Sequence, residues 1–197
     1  QGGLAHFDAG DLLGIVPPGS CVPRYYSLAS GWRDGFVEIC VRRMPGGVCS
    51  NYLHGLQPGD SAQAFIRPNP GFALHGSRQP VLLIGAGTGV APLAGFIRGN
   101  ARRRPMHLYY GTRDPARDFY FGEELQAWQA EGRLADLHGG QARHIAVIEG
   151  AQGALMGCAG LQLRNRMARN RRPGRHRLET TALAAVARLA IRFDLDV

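Results

Sequence analysis

The stretch VLLIGAGTGVAPLAGFIR, residues 81–98, constrains the fold more than any other part of the chain. VLLIG reads as a strand apolar on both faces, and PLAGFIRGNARR, from Pro92, reads as a helix. Glycines at 85, 87 and 89 allow a turn tight enough to deliver one into the other. A second unit of the same kind follows, with MHLYYG (106–111) as strand and DFYFGEELQAWQAEG (118–132) as helix, Asp118 being a credible N-cap. Strand, helix, strand, helix in this order predicts a parallel sheet with crossovers.

The preceding residues have a different texture. DLLGIV, RYYSLAS, GFVEICVRRM and DSAQAFIRP read as short strands, separated by PPGS, GWRDG, PGG and QPGD. Strands at that spacing predict a small antiparallel β-barrel. The turn-rich connector NPGFALHGSRQP (69–80) is the expected boundary. The expected organisation is therefore a barrel domain over residues 1–78 and an α/β parallel-sheet domain over 79–197.

Composition removes several classes of function. The apolar run at 81–97 is broken by four glycines and a proline, so no membrane span is expected. Cys21, Cys40, Cys49 and Cys158 are irregularly spaced and lack a companion set of histidines. They predict neither a metal site nor a disulfide framework, and suit a reducing, cytoplasmic compartment. The net charge of +8 is concentrated in Arg102–Arg104 and between Arg164 and Arg177. Neither cluster has interleaved aromatics for base stacking, so nucleic acid is not an expected partner. The sequence opens at Gln1 without a signal peptide, which predicts a fragment of a longer polypeptide.

Three stretches carry chemistry. In GAGTGVAP, Gly87, Thr88 and Gly89 would let backbone N–H groups and a hydroxyl approach a pyrophosphate at a helix start that includes Pro92. The spacing departs from G-x-G-x-x-G, since Val90 follows Gly89, and a purely structural turn is the plain alternative. PGGVCS (45–50) precedes a short helical segment and makes a second anion seat, with Ser50 as N-cap or phosphate donor; a capped turn explains it equally. RYYS offers the Arg24 guanidinium for phosphate, the Tyr25 and Tyr26 rings for stacking, and the Ser27 hydroxyl at the working edge. Gly111, Thr112 and Arg113 lie at the carboxyl end of the second predicted parallel strand, where open α/β sheets place ligands. If residues 153–158 form a further parallel strand, Cys158 sits at its carboxyl tip.

The order of these motifs is R-x-Y-S, G-G-x-x-S, G-x-G-T-G-V-A-P, Y-G-x-R-x-x-x-x-D-F with E-E-L, and C-x-G. It resembles the ferredoxin–NADP reductase superfamily, closest to the diflavin branch, over about Asp8 to Leu137. The resemblance implies a flavoprotein oxidoreductase passing hydride from NADPH to FAD and electrons onward. The receiver would be a fused flavodoxin-like FMN module, a haem protein or an iron–sulfur protein. By the same resemblance, Arg24, Tyr26 and Ser27 hold the flavin phosphate, ring and N5 edge. Cys40, Val41 and Arg42 lie along the flavin's adenosine side, and Gly47, Val48, Cys49 and Ser50 cradle its pyrophosphate. Thr88 meets the nicotinamide nucleotide, and Ser27 and Cys158 face the point of hydride transfer.

The chain departs from that family after Leu137. The Ser-Arg pair and Lys/Tyr-x-Gln group that grip the 2′-phosphate are missing, as is a terminal Tyr or Trp; Phe193 is near that place. The Arg-rich stretch reads unlike a packed domain and is read as a degraded, recombined or out-of-frame C-terminal third, with a basic docking surface for an acidic electron partner as the functional alternative. A flavin-binding remnant without productive NADPH binding is the rival to an active enzyme.

Overall fold

The computed structural model describes residues 6–74, 76–141, 154–157 and 193–194. Nine strands and three helices are assigned among them. In the N-terminal half, β1 (Leu12–Ile15) is flanked by antiparallel β2 (Arg24–Ser27) and β4 (Ala64–Arg67). Leu13, Tyr26 and Ile66 stand side by side in this register, which gives the three strands one common inner face. An isolated bridge, Leu28 to Ile39, carries the chain beyond β2 towards β3 (Phe36–Val37). Strand β9 (Phe193–Asp194) pairs antiparallel with β3. The antiparallel architecture holds, but among the described residues no continuous ladder closes it into a barrel.

The reason lies in residues 38–42, where the expected long strand GFVEICVRRM shortens to β3. Val37, Ile39 and Val41 enter the core of the antiparallel half, together with Phe7, Leu28 and Leu53. Cys40 enters the core of the α/β half. This segment serves two cores at once, and beyond the single Leu28–Ile39 bridge its pairing does not continue among the described residues.

In the second half, β5 (Val81–Ala86), β6 (Met106–Thr112), β7 (Asp136–Gln141) and β8 (Ala154–Gly157) form a parallel sheet in the order β7-β6-β5-β8. Helix α1 (Val48–Gly55) belongs to the first half, α2 (Ala91–Arg98) and α3 (Gly122–Ala130) to the second. Leu93, Ala94 and Ile97 of α2 pack with Leu83, Leu108 and Tyr110 of the central strands. Burial of that apolar stripe, worth about 1.5–3 kcal/mol for each large side chain, is what stabilises so short a helix.

Helix ends differ from the sequence expectation. Helix α2 stops at Arg98 instead of running on to Arg103, because Gly99 and Asn100 end it. The Asn100 amide then donates to the carbonyls of Arg104 and Arg133, both at 2.7 Å. The N-cap of α1 is Gly47, not Ser50. Ser50 sits one turn in, where its Oγ accepts the Met44 N–H at 3.1 Å. The N-cap of α3 is Phe121 in a left-handed conformation (φ 58°), not Asp118. Buried Phe121 selects that turn by filling the core, and tertiary packing overrides the local capping preference. No helix among the described residues is long and apolar enough to cross a membrane.

Candidate functional site

The centre of the candidate site is a cavity of about 260 Å³ at the carboxyl ends of β5 and β6. Ala86, Gly87 and Thr88 line it from the β5 turn, Gly111, Thr112 and Arg113 from the end of β6. Asp118 and Tyr120 contribute from the following loop, and Arg42 reaches it from the antiparallel half. Of the residues singled out from sequence, the fold thus brings Arg42, Gly87, Thr88, Gly111, Thr112 and Arg113 together.

Local structure explains why the turn opens here. Val81 to Ala86 form the strand, Gly87–Val90 one turn of 3₁₀ helix, and α2 begins at Ala91 with Pro92 in its first turn. Gly87 has φ +53°, a left-handed value that disfavours any side chain, although the space beside it is open. Thr88 and Gly89 continue the turn with half-buried backbone. The loop over the other side is clamped by Tyr110, whose hydroxyl donates to the Asp118 carbonyl at 2.9 Å and accepts the Tyr120 N–H at 3.1 Å.

Two features of the cavity call for a ligand of anionic, hydrogen-bonding character. Arg42 Nε and Thr112 Oγ1 are buried and make no hydrogen bond within the protein. Buried polar atoms of this kind normally have partners, and leaving one unpaired costs about 1–3 kcal/mol. Two arginines face one aspartate, so the cavity carries an excess of positive charge. Tyr120 is held protonated well beyond the usual phenol range, its pKa pushed up to about 12 by burial first and the Asp118 carboxylate second. It enters the site as a neutral hydroxyl. The residues present fit a nucleotide phosphate.

A second locus lies on β2 and the start of α1. Arg24 and Tyr26 point to one face of β2, Tyr25 and Ser27 to the other. Tyr26 is half-buried, and its phenol is held protonated by burial first and by the neighbouring Cys49 thiol second. That contact joins β2 to the Gly47–Ser50 turn. Tyr25 stays exposed, edge-on to Phe65 with ring centroids 6.0 Å apart and the Arg67 guanidinium over its face. The Arg24 guanidinium is exposed and donates to the carbonyls of Val22 and Pro23. Val41 and Cys49 bury their side chains in the core, leaving backbone as what they can offer, and Val48 is exposed at the helix start. Cys40 likewise has its side chain in the core of the α/β half. The position of Cys158 lies outside the described residues.

Sequence reasoning placed Thr112 at the ligand edge with Gly111 and Arg113, but missed Asp118 and Tyr120 as site residues. The signal for Thr112 was its place between Gly111 and Arg113 at a parallel strand's carboxyl end. For the other two, only the Tyr110 clamp brings the loop over the cavity. Among the described residues, no three His, Cys, Asp or Glu side chains converge in a way that could hold a metal ion.

Comparison with known proteins agrees with this division. Residues 7–65 match the oxidoreductase FAD-binding domain, and residues 83–153 match the oxidoreductase NAD-binding domain. The chain is 40% identical over 126 residues to the reductase subunit of an aromatic O-demethylase from an Amycolatopsis strain, covering 58% of this chain and 36% of that protein. It is 29% identical over 137 residues to NADPH-dependent diflavin oxidoreductase 1 of Saccharomyces cerevisiae, covering 65% of this chain and 21% of the relative. The chain therefore spans well under half the length of these relatives. The ferredoxin-NADP+ reductase of Plasmodium falciparum shares the fold with a TM-score of 0.58 at 18% identity, over 72% of this chain and 60% of that one. The chain thus carries an oxidoreductase FAD-binding domain ahead of an oxidoreductase NAD-binding domain, on the fold that ferredoxin-NADP+ reductase also adopts.

Proposed function

We propose that the chain is the reductase portion of an electron-transfer flavoprotein that takes hydride from NADPH and delivers electrons to a redox partner. The observation that carries this reading is the cavity in which Arg42 of the FAD-binding half and Thr112 of the NAD-binding half each present an unpaired buried polar atom. When bound, NADPH supplies the hydride and FAD the acceptor that can release electrons to a partner. In this reading the two halves divide between residues 78 and 79, within the interval that the two family matches leave between them. An NADPH-dependent relative supports NADPH over NADH, and the thiols of Cys21 and Cys49, which form no disulfide, suit a cytoplasmic setting. The reductase subunit among the relatives favours a separate protein as the receiver of electrons, with a fused FMN module as the alternative.

The chain's own residues bind and orient. Arg24 holds a flavin phosphate, the Tyr26 ring supports the flavin from its half-buried position, and the Ser27 hydroxyl hydrogen-bonds the N5 edge. Ser50 already accepts from Met44 N–H, so its O–H is free to donate to the pyrophosphate at the α1 start. Thr88, Thr112, Arg42 and Arg113 hold the nicotinamide nucleotide, and Tyr120 donates a neutral hydroxyl. Hydride transfer needs aligned rings and no general base, and the cavity provides none beyond Asp118.

The test is to load the purified chain with FAD and add NADPH anaerobically. The reading expects a yellow protein that bleaches with NADPH more readily than with NADH. A chain that refuses FAD overturns it, and bound flavin that NADPH leaves yellow marks the chain as a flavin-binding remnant.

A further inference from the structure

Helix α2 connects the two loci directly. Its first residue adjoins the glycine turn that lines the cavity, and its last, Arg98, grips the antiparallel half. Arg98 Nη1 donates to the carbonyl of Ala29 at 2.8 Å, two residues beyond Ser27, and Nη2 meets Glu38 Oε2 at 2.6 Å. The guanidinium lies over the Phe36 ring of the antiparallel half at 5.2 Å and the Trp128 ring of the α/β half at 5.3 Å. One turn earlier, a Cβ on Gly95 would come within 2.6 Å of the Ala29 carbonyl oxygen, so the helix backbone rests on that segment without a gap. Glu38 is 1% exposed, and its Oε1 makes no hydrogen bond. Its charge is compensated by Arg98.

The geometry points to Arg98, with Glu38 and Gly95, as a joint that sets the distance between the β2 locus and the glycine turn: Arg98 is a positioning residue for hydride transfer. This rests on the proposed reductase function. The physical reason is leverage. Eight helical residues rise about 12 Å, so a tilt of about 5° at the Arg98 end displaces the turn by about 1 Å. A misplacement of that size between reacting groups is worth about 10²-fold in rate. Lysine cannot replace the arginine, because one ammonium does not serve two acceptors on separate nitrogens while lying flat between two rings.

The experiment uses the FAD-loaded full chain carrying Arg98→Lys, Glu38→Gln or Gly95→Ala, with exposed Arg102→Lys as control. The expected result is unchanged flavin content, flavin reduction at saturating NADPH slowed about tenfold or more, and NADPH affinity moved less than about threefold. The long-wavelength charge-transfer absorbance between nicotinamide and flavin should fade in parallel. Variants that melt at lower temperature yet reduce at the wild-type rate with that absorbance intact overturn the proposal. If the wild-type chain takes no FAD, it is the functional reading that fails. The joint is then read by amide hydrogen exchange in the FAD-free chain. Arg98→Lys should speed exchange at Leu28–Ser30 and Gly87–Val90 together, and acceleration on one side alone overturns it.

Discussion

Arg42 and Thr112 come from opposite halves of the chain, line one cavity, and each keep a buried polar atom without a protein partner. Such a pair is a cost to the empty protein, and under the proposed function a bound nucleotide would relieve it. Thr112→Val, which keeps shape and removes the hydroxyl, should leave the empty protein as stable as wild type or slightly more so. Nucleotide binding should move the other way, with NADP+ affinity falling about tenfold, as expected for loss of a hydrogen bond to a charged group worth about 1.5 kcal/mol. Melting curves and calorimetric titration measure the two effects. Wild-type affinity in the variant would remove the cavity from the site.

Glu38 is buried against Arg98, so removing one partner strands the other charge. Glu38→Ala should lower unfolding free energy by about 3–5 kcal/mol, whereas the double variant Glu38→Gln with Arg98→Met should recover much of that loss. Urea denaturation of both variants tests this. A loss no larger than that of an exposed pair would show that the guanidinium finds water.

The raised phenol of Tyr120 gives a pH dependence of definite sign. Its folded pKa of about 12 lies above the ordinary 10.0, so the folded state keeps its proton over an interval in which the unfolded state loses one. The associated stability is complete below the ordinary value and is lost as pH rises through the folded one. Burial shifts Tyr26 and Tyr110 in the same direction, so the alkaline fall is shared. Tyr120→Phe should make the fall shallower without abolishing it. Denaturation midpoints across that alkaline range, with tyrosinate absorbance as the titration readout, decide the matter. An unchanged slope in Tyr120→Phe would assign the fall elsewhere.

The second locus makes a separate prediction. Replacing exposed Arg24 with Ala should weaken FAD retention about tenfold or more through loss of a charge-assisted hydrogen bond. Folding should be nearly unaffected, because the guanidinium is exposed and its hydrogen bonds among the described residues run to the neighbouring carbonyls of Val22 and Pro23. Ser50→Ala should also reduce FAD retention, but with some loss of stability, since it strips Met44 N–H of its acceptor. Flavin absorbance after gel filtration, set beside the melting temperature, separates the two.

The sequence by itself determined the elements whose signal is local. An uninterrupted apolar run means a strand covered on both faces, and β5 and β6 appear where VLLIG and MHLYYG stand. Glycines after such a strand mean a tight turn, and Gly87 adopts the left-handed angle that needs one. Tertiary structure alone decided the rest. Ser50 and Asp118 have good capping chemistry, yet Gly47 and Phe121 occupy the caps, because packing energies exceed the roughly 1 kcal/mol of a capping bond. Residues 38–41 alternate as a strand should, but serve two cores, a property of where the halves meet. Glu38 and Arg98 stand 60 residues apart, and no local pattern announces that a buried carboxylate will find that guanidinium. Pairings of this kind follow from the shape of the whole chain, because the energy of a buried charge or an unpaired hydroxyl depends on what the fold brings near it.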